Sequence, residues 1–181
     1  MFLDIVGSTG IAERIGSVAF HRLLNRFCYD LTEAIVETSG EIYKYVGDEI
    51  IVTWPMGAGL RDARCVRCYY AAVERLARAG PEYQREFGVV PTFRAGLHGG
   101  TVVAGELGDI KQEISFLGDT VNTTARIKEF CREADRSVLL SGPLLAKLVL
   151  PLGVEPERLG PVRLRGREQT IDVFGLRRVG D

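Results

Sequence analysis

Apolar residues recur along this chain with two different periods. Phe2 to Val6 is an apolar run broken only by Asp4, the pattern of a buried strand. Gly7-Ser8-Thr9 follows, with the flexible backbone and small hydroxyls that open a helix. A helical pattern comes next, interrupted near Gly16-Ser17. From Val18 it is regular: Phe20, Leu24, Phe27, Leu31 and Ile35 keep one apolar face at spacings of three or four, until Ser39-Gly40 stops it. Gly40 to Val52 reads as two strands around a Gly47-Asp48-Glu49 turn. Leu60 to Ala79 is a second amphipathic helix, expected to end at Gly80-Pro81.

Beyond it, Val89–Leu97 and Thr101–Glu106 read as a strand pair joined through Gly99-Gly100, and Ile114–Leu117 as a short strand. Asp119–Phe130 is a helix with Asp119 in the N-cap position. Val138–Leu140 is a strand and Pro143–Leu150 a short helix. Val162-Arg163-Leu164 and Ile171–Phe174 close the chain as a hairpin. The order βαββαβ, with extra strands, predicts one α+β domain over residues 1–181: a ferredoxin-like, palm core with a mostly antiparallel sheet and helices on one face.

Composition narrows the partners. With 181 residues, 46% of them hydrophobic, the chain can build a full core. A net charge of −1 gives no basic excess for nucleic acid, so an anionic partner must be met locally, by metal ions, a few cations or helix ends. No apolar run is long enough to span a bilayer. Four cysteines would permit two disulfides, but a chain of this size does not need them, so a reducing cytoplasmic setting is expected. Only Met1-Phe2-Leu3 precede the first charged position, short for a first strand. An upstream part of a longer protein, regulatory or membrane-anchoring, is therefore expected.

Three places carry chemistry. Asp4 sits in an apolar run, where an unpaired carboxylate is costly and needs a cation or donors. The small residues after it would let backbone N–H groups approach phosphate at a helix N-terminus; taken alone, a turn with a capped helix is the better explanation. Asp48 also follows a glycine between apolar strands. If the two strands are neighbours, Asp4 and Asp48 meet at strand ends and would suit Mg²⁺ or Mn²⁺; two unrelated aspartates are the plain alternative. In ISFLGDTVNTTARI, Asn122 and Arg126 are four apart and share a helix face, where both can bind phosphate oxygens or simply meet solvent.

FLDIVGST, GEIYKYVGDEI and FLGDTVNTTAR, in that order and at those separations, resemble the class III nucleotide cyclase catalytic domain over Phe2 to about Leu176. That family converts a nucleoside triphosphate to its 3′,5′-cyclic monophosphate and pyrophosphate. The resemblance implies two Mg²⁺ or Mn²⁺ ions per active site, held by Asp4, Asp48 and the Ile5 carbonyl. It places the triphosphate on the backbone of Ile5, Val6, Gly7, Ser8 and Thr9. It makes Asn122 and Arg126 the transition-state pair and Lys44 and Ser115 the base-reading positions. Lys44 can only donate, which suits adenine N1, and Ser115 can accept from the adenine amino group. Guanylate-specific relatives carry an acidic residue at the Lys44 position, so ATP is the expected substrate and cyclic AMP the product. Serine departs from the Asp or Thr usual at its position but keeps a hydroxyl. Arg165 stands where the family has a lysine for the terminal phosphates, with Arg163 and Arg167 as neighbouring alternatives. Metal aspartates and the Asn/Arg pair come from different subunits in this family, which implies a head-to-tail homodimer with shared sites. The alternatives are a catalytically weak or inactive nucleotide-binding regulatory module, or a guanylate or diguanylate cyclase. VGDEI resembles the GGDEF signature of the last of these, which lacks the GDTVNTTAR helix in this role.

Other polar residues suit quieter roles. Cys65 and Cys68 share a helix face with no second pair or histidine nearby, so core packing beside Ala72 and Leu76 is expected rather than zinc. His98 is expected at the surface or behind a site. Glu49 neighbours Asp48, but adjacent strand residues face opposite ways, so it is not taken as a ligand.

Overall fold

The computed structural model describes residues 1–110, 112–163 and 170–180. The elements follow as β1 (Phe2–Ile5), α1 (Ser8–Ile15), α2 (Ser17–Glu37), β2 (Glu41–Val46), β3 (Glu49–Thr53), α3 (Met56–Leu60), α4 (Arg64–Phe87) and β4 (Phe93–Leu97). After these come β5 (Val103–Leu107), β6 (Glu113–Leu117), α5 (Asp119–Glu133), β7 (Val138–Ser141), α6 (Gly142–Leu145), β8 (Val154–Val162) and β9 (Ile171–Arg178). Seven strands form one sheet in the order β2-β3-β1-β4-β7-β9-β8. Every neighbouring pair is antiparallel except β4 with β7. The expected βαββαβ core is the half from β2 to β4.

Strand alternation sorts the side chains into two faces. Leu3, Ile5, Ile50, Val52, Ala95 and Leu97 bury one face against Phe27, Leu31 and Ile35 of α2 and Val66, Tyr69 and Leu76 of α4. Each Val, Leu, Ile or Phe side chain among these contributes about 1.5–3 kcal/mol on full burial. Cys65 and Cys68 belong to this core, as expected. The two core helices thus share a face. The later helix α5 lies on the other face, where Ile127 and Cys131 pack with Leu139 and Val173.

Three expectations are corrected. Helix α4 does not end at Gly80-Pro81 but runs on to Phe87 and stops at Gly88, whose φ of 68° is left-handed. The proline removes one helical hydrogen bond and strains the turn before it, at a cost near 3 kcal/mol. Tyr83 and Phe87, both buried beyond it, offset that cost, and Tyr83 also donates to Asp30 at 2.8 Å. The second correction concerns β5, which does not pair with β4. It pairs with β6 in a separate two-stranded sheet, because the other edge of β4 is taken by β7. The link between them is held to α5 by Thr120, whose hydroxyl donates to the Thr101 carbonyl at 2.7 Å. Gly118, not Asp119, is the N-cap of α5. The closing hairpin is present as β8 and β9, with part of its expected first strand, Leu164, outside the described residues.

Candidate active site

β1 hands the chain to α1 through a tight link. The Val6 N–H donates to the Thr92 carbonyl at 2.9 Å, and Gly7 takes φ 68°, which a side chain would resist. Ile11 is the first residue to close a helical bond, to the Gly7 carbonyl at 3.0 Å. The first N–H groups of α1, those of Ser8, Thr9 and Gly10, therefore have no partner within the helix and stand at the end of β1. Ile5 itself is buried and pairs with Phe93 across β1 and β4.

Asp4 lies two residues before Val6. Register places it opposite Glu49 on β3 and opposite Arg94 on β4, so all three share the sheet face beneath α5. Lys128 reaches down from α5 and puts its Nζ 2.8 Å from Asp4 Oδ2 and 2.8 Å from Glu49 Oε2. Burial opposes the charge on Lys128, yet the hydrogen bonds and charges of the two carboxylates outweigh it and raise its pKa above the usual ammonium value. Neither Glu49 nor Lys128 was picked out in the sequence as part of a site. The legible signal was a lysine four residues after Thr124 and three before Cys131, on the inward side of an amphipathic helix, where a cation demands an anion.

Asp48 occupies the turn between β2 and β3, behind Gly47 at φ 63°, partly exposed and without a hydrogen bond or ion pair among the described residues. The structure brings Glu49, rather than Asp48, beside Asp4. No cluster of three or more metal-ligating side chains converges among the described residues. The donors available at this sheet end are nonetheless all hard oxygens: Asp4, Asp48, Glu49 and the Ile5 carbonyl. That set suits Mg²⁺ or Mn²⁺, and a cation, the Lys128 ammonium, already satisfies part of it.

Of the base-reading positions, Lys44 lies on the edge strand β2, two strands from β1, and Ser115 on β6. A bulge in β2 between Ile42 and Lys44 turns Tyr43 and Lys44 toward β6. The Tyr43 hydroxyl donates to the Ile114 carbonyl and accepts from the Phe116 N–H, both at 2.9 Å, and its ring stacks on Phe116 with centroids 4.3 Å apart. Ser115 sits between those two residues. Lys44 pairs with Glu113 at 2.6 Å, and that hydrogen bond and charge raise the lysine pKa. A cavity of about 340 Å³ opens beside this contact, lined by Tyr43, Trp54, Phe116, Val121 and Leu144 among others. His98 also lines it, half-buried, with Nδ1 2.7 Å from the Ser141 hydroxyl.

Asn122 is exposed on α5, and Arg126 is partly exposed and pairs with Glu129 at 2.7 Å. On an α-helix Lys128 is turned roughly 120–160° away from both. One side of α5 therefore meets the sheet through Lys128 while the other presents Asn122 and Arg126. Arg165 lies outside the described residues, as does Arg167; Arg163 is exposed.

The model of the adenylate and guanylate cyclase catalytic domain family matches residues 1–177. Adenylate cyclase 2 of Rhizobium meliloti is 40% identical over 176 residues, covering 97% of this chain and 48% of that protein. The chain thus spans about half the length of that curated relative. Among solved structures, a bacterial light-regulated adenylyl cyclase superposes with a TM-score of 0.81 at 20% identity, covering 97% of this chain and 50% of the other. The guanylyl cyclase Cya2 superposes with a TM-score of 0.79 at 21% identity, covering 99% and 91%. At such identities these two likenesses speak for the fold.

Proposed function

Since the chain belongs to the adenylate and guanylate cyclase catalytic domain family, we propose that it is an adenylate cyclase, converting ATP to 3′,5′-cyclic AMP and pyrophosphate in a site shared by two copies. One observation carries the shared site. Within a single chain, Asp4 lies beneath α5 while Asn122 and Arg126 project from its far side, so the three cannot converge on one α-phosphate. A second copy supplies the missing half. The exposed Val103, Leu107, Ile114 and Leu117 on the isolated β5–β6 hairpin support such pairing, because a lone two-stranded hairpin gains stability from a covering surface.

In this reading Lys44 donates to adenine N1 and Ser115 accepts from the amino group, with Tyr43 holding β2 against β6 around them. Asn122 orients the ribose. Arg126 leaves Glu129 to stabilise charge developing on the α-phosphate as the 3′ oxygen attacks in line and pyrophosphate departs. The free N–H groups at the start of α1 receive the terminal phosphates, with a basic residue of the 163–167 segment as their cationic partner. Asp4, Asp48 and the Ile5 carbonyl of the other copy would hold two Mg²⁺ or Mn²⁺ ions, which supply Lewis acidity for the attacking oxygen and counter-charge for the leaving group.

The test is direct. Purified chain, at concentrations that allow dimers, is mixed with Mn²⁺ and ATP or GTP, and the cyclic products are separated and quantified beside Asp48→Ala and Asn122→Ala. Cyclic AMP in large excess over cyclic GMP, lost in both variants, is the expected result. No cyclic product from either nucleotide refutes the activity; equal turnover of GTP refutes the base assignment.

A further inference from the structure

Lys128 is a largely buried charge that none of the roles given above uses. Its backbone is pressed against β4, where Gly96 has no side chain to keep it away. From there its chain crosses β4 and reaches the Asp4–Glu49 pair, with only 13% of the side chain exposed. Arg94, opposite Asp4 in register, adds a second positive charge on the same face. The oxygen nearest Lys128 belongs to the carboxylate read above as a metal ligand, and the inference rests on that reading.

We infer that Lys128 is an internal competitor of the divalent cation at Asp4: its ammonium and the metal claim the same carboxylate. A divalent ion on Asp4 lies within a few ångströms of the lysine nitrogen, where like charges at intermediate dielectric repel strongly. Cation entry must therefore draw Asp4 off Lys128, leaving Glu49 as the lysine's remaining partner. Lys128 acts as a positioning residue, holding Asp4 in place while setting a threshold of cation concentration for loading the site. A lysine that merely braced the sheet would instead leave cation affinity unchanged, or lower it when lost.

The experiment reads binding rather than turnover. Mn²⁺ alone is titrated into the whole purified chain and free Mn²⁺ is followed by electron paramagnetic resonance, for wild type, Lys128→Met, Lys128→Gln, Lys128→Arg and Asp4→Asn. Circular dichroism establishes that each is folded. Glutamine keeps a donor for the two carboxylates without the charge, and so provides a folded neutral variant if methionine does not. Both neutral variants are expected to bind Mn²⁺ at least about tenfold more tightly than wild type. Lys128→Arg, which keeps the charge, stays near wild type, and Asp4→Asn loses the binding. Unchanged or weaker Mn²⁺ affinity in a folded neutral variant, with binding still lost in Asp4→Asn, overturns the competition and leaves the ligand role of Asp4 standing. Binding that survives Asp4→Asn overturns the ligand role and the competition with it.

Discussion

Replacing Gly96 by alanine perturbs a place where the backbone of α5 packs directly against the backbone of β4. A Cβ at Gly96 would lie 2.4 Å from the Lys128 nitrogen and 2.8 Å from its Cα. Both are backbone atoms of a helix and cannot swing aside as a side-chain tip can. Restoring ordinary contact requires α5 to retreat by roughly 1 Å, the overpacking response that typically costs about 1–3 kcal/mol. The retreat loosens Ile127 and Cys131, which are fully buried against Leu139 and Val173, and lengthens the Cys131 thiol contact to the Ala95 carbonyl, now 3.4 Å. It also moves Asn122 and Arg126, which ride on the same helix; a displacement of that size can cost on the order of 10²-fold in rate. Urea unfolding followed by the single tryptophan, Trp54, measures the stability change, and cyclic AMP formation at saturating ATP measures the rate. Gly105→Ala is the control, because nothing lies within 4 Å of its added carbon; it should stay within about 0.5 kcal/mol of wild type. A Gly96→Ala chain that unfolds at the wild-type urea midpoint would refute the packing argument. One that is destabilised yet turns over ATP at the wild-type rate would refute the link from α5 position to chemistry.

Arg126→Ala should lower kcat by roughly 10²–10³, as for loss of one preorganised donor, with no change in the far-ultraviolet circular dichroism. Tyr43→Phe removes the hydroxyl that joins Ile114 and Phe116 to β2, two hydrogen bonds of about 1 kcal/mol each; a raised KM for ATP with a smaller change in kcat is expected from steady-state kinetics. Stability should also fall on the alkaline side. Burial pushes the Cys68 thiol up to about 11 and the Cys131 thiol up to about 12, from an ordinary 9.0. The folded chain therefore keeps protons that the unfolded chain releases above pH 9, and each thiol costs about 1 kcal/mol of stability at pH 10. Chemical denaturation at pH 8 and pH 10 checks this, and Cys131→Ser should reduce the pH dependence.

The elements were largely legible from periodicity and punctuation. The face of α2 from Phe20 to Ile35, the break at Gly16, the β2–β3 turn at Gly47 and the amphipathic α4 all follow from local rules, and the α+β class follows from their order. The three motifs were legible as strings too, since chemistry fixes which residue types can stand at such spacings. What periodicity could not weigh was energy supplied from elsewhere in the fold. Pro81 reads as a stop, yet Tyr83 and Phe87 find a core beyond it, and their burial outweighs the lost hydrogen bond. Gly99-Gly100 reads as a hairpin, yet β7 takes the edge of β4 and sends β5 to pair with β6. Glu49 was set aside because neighbours on a strand face opposite ways. The same alternation in fact puts Glu49 on the side of Asp4, since Asp48 belongs to the turn and register begins at Glu49. Lys128, 124 residues from Asp4, could not be joined to it by any local pattern. Sequence determines which residues are able to attract a cation or a phosphate. Only the register of three strands and the seating of α5 on Gly96 decide which of them meet, because that depends on packing between segments far apart in the chain.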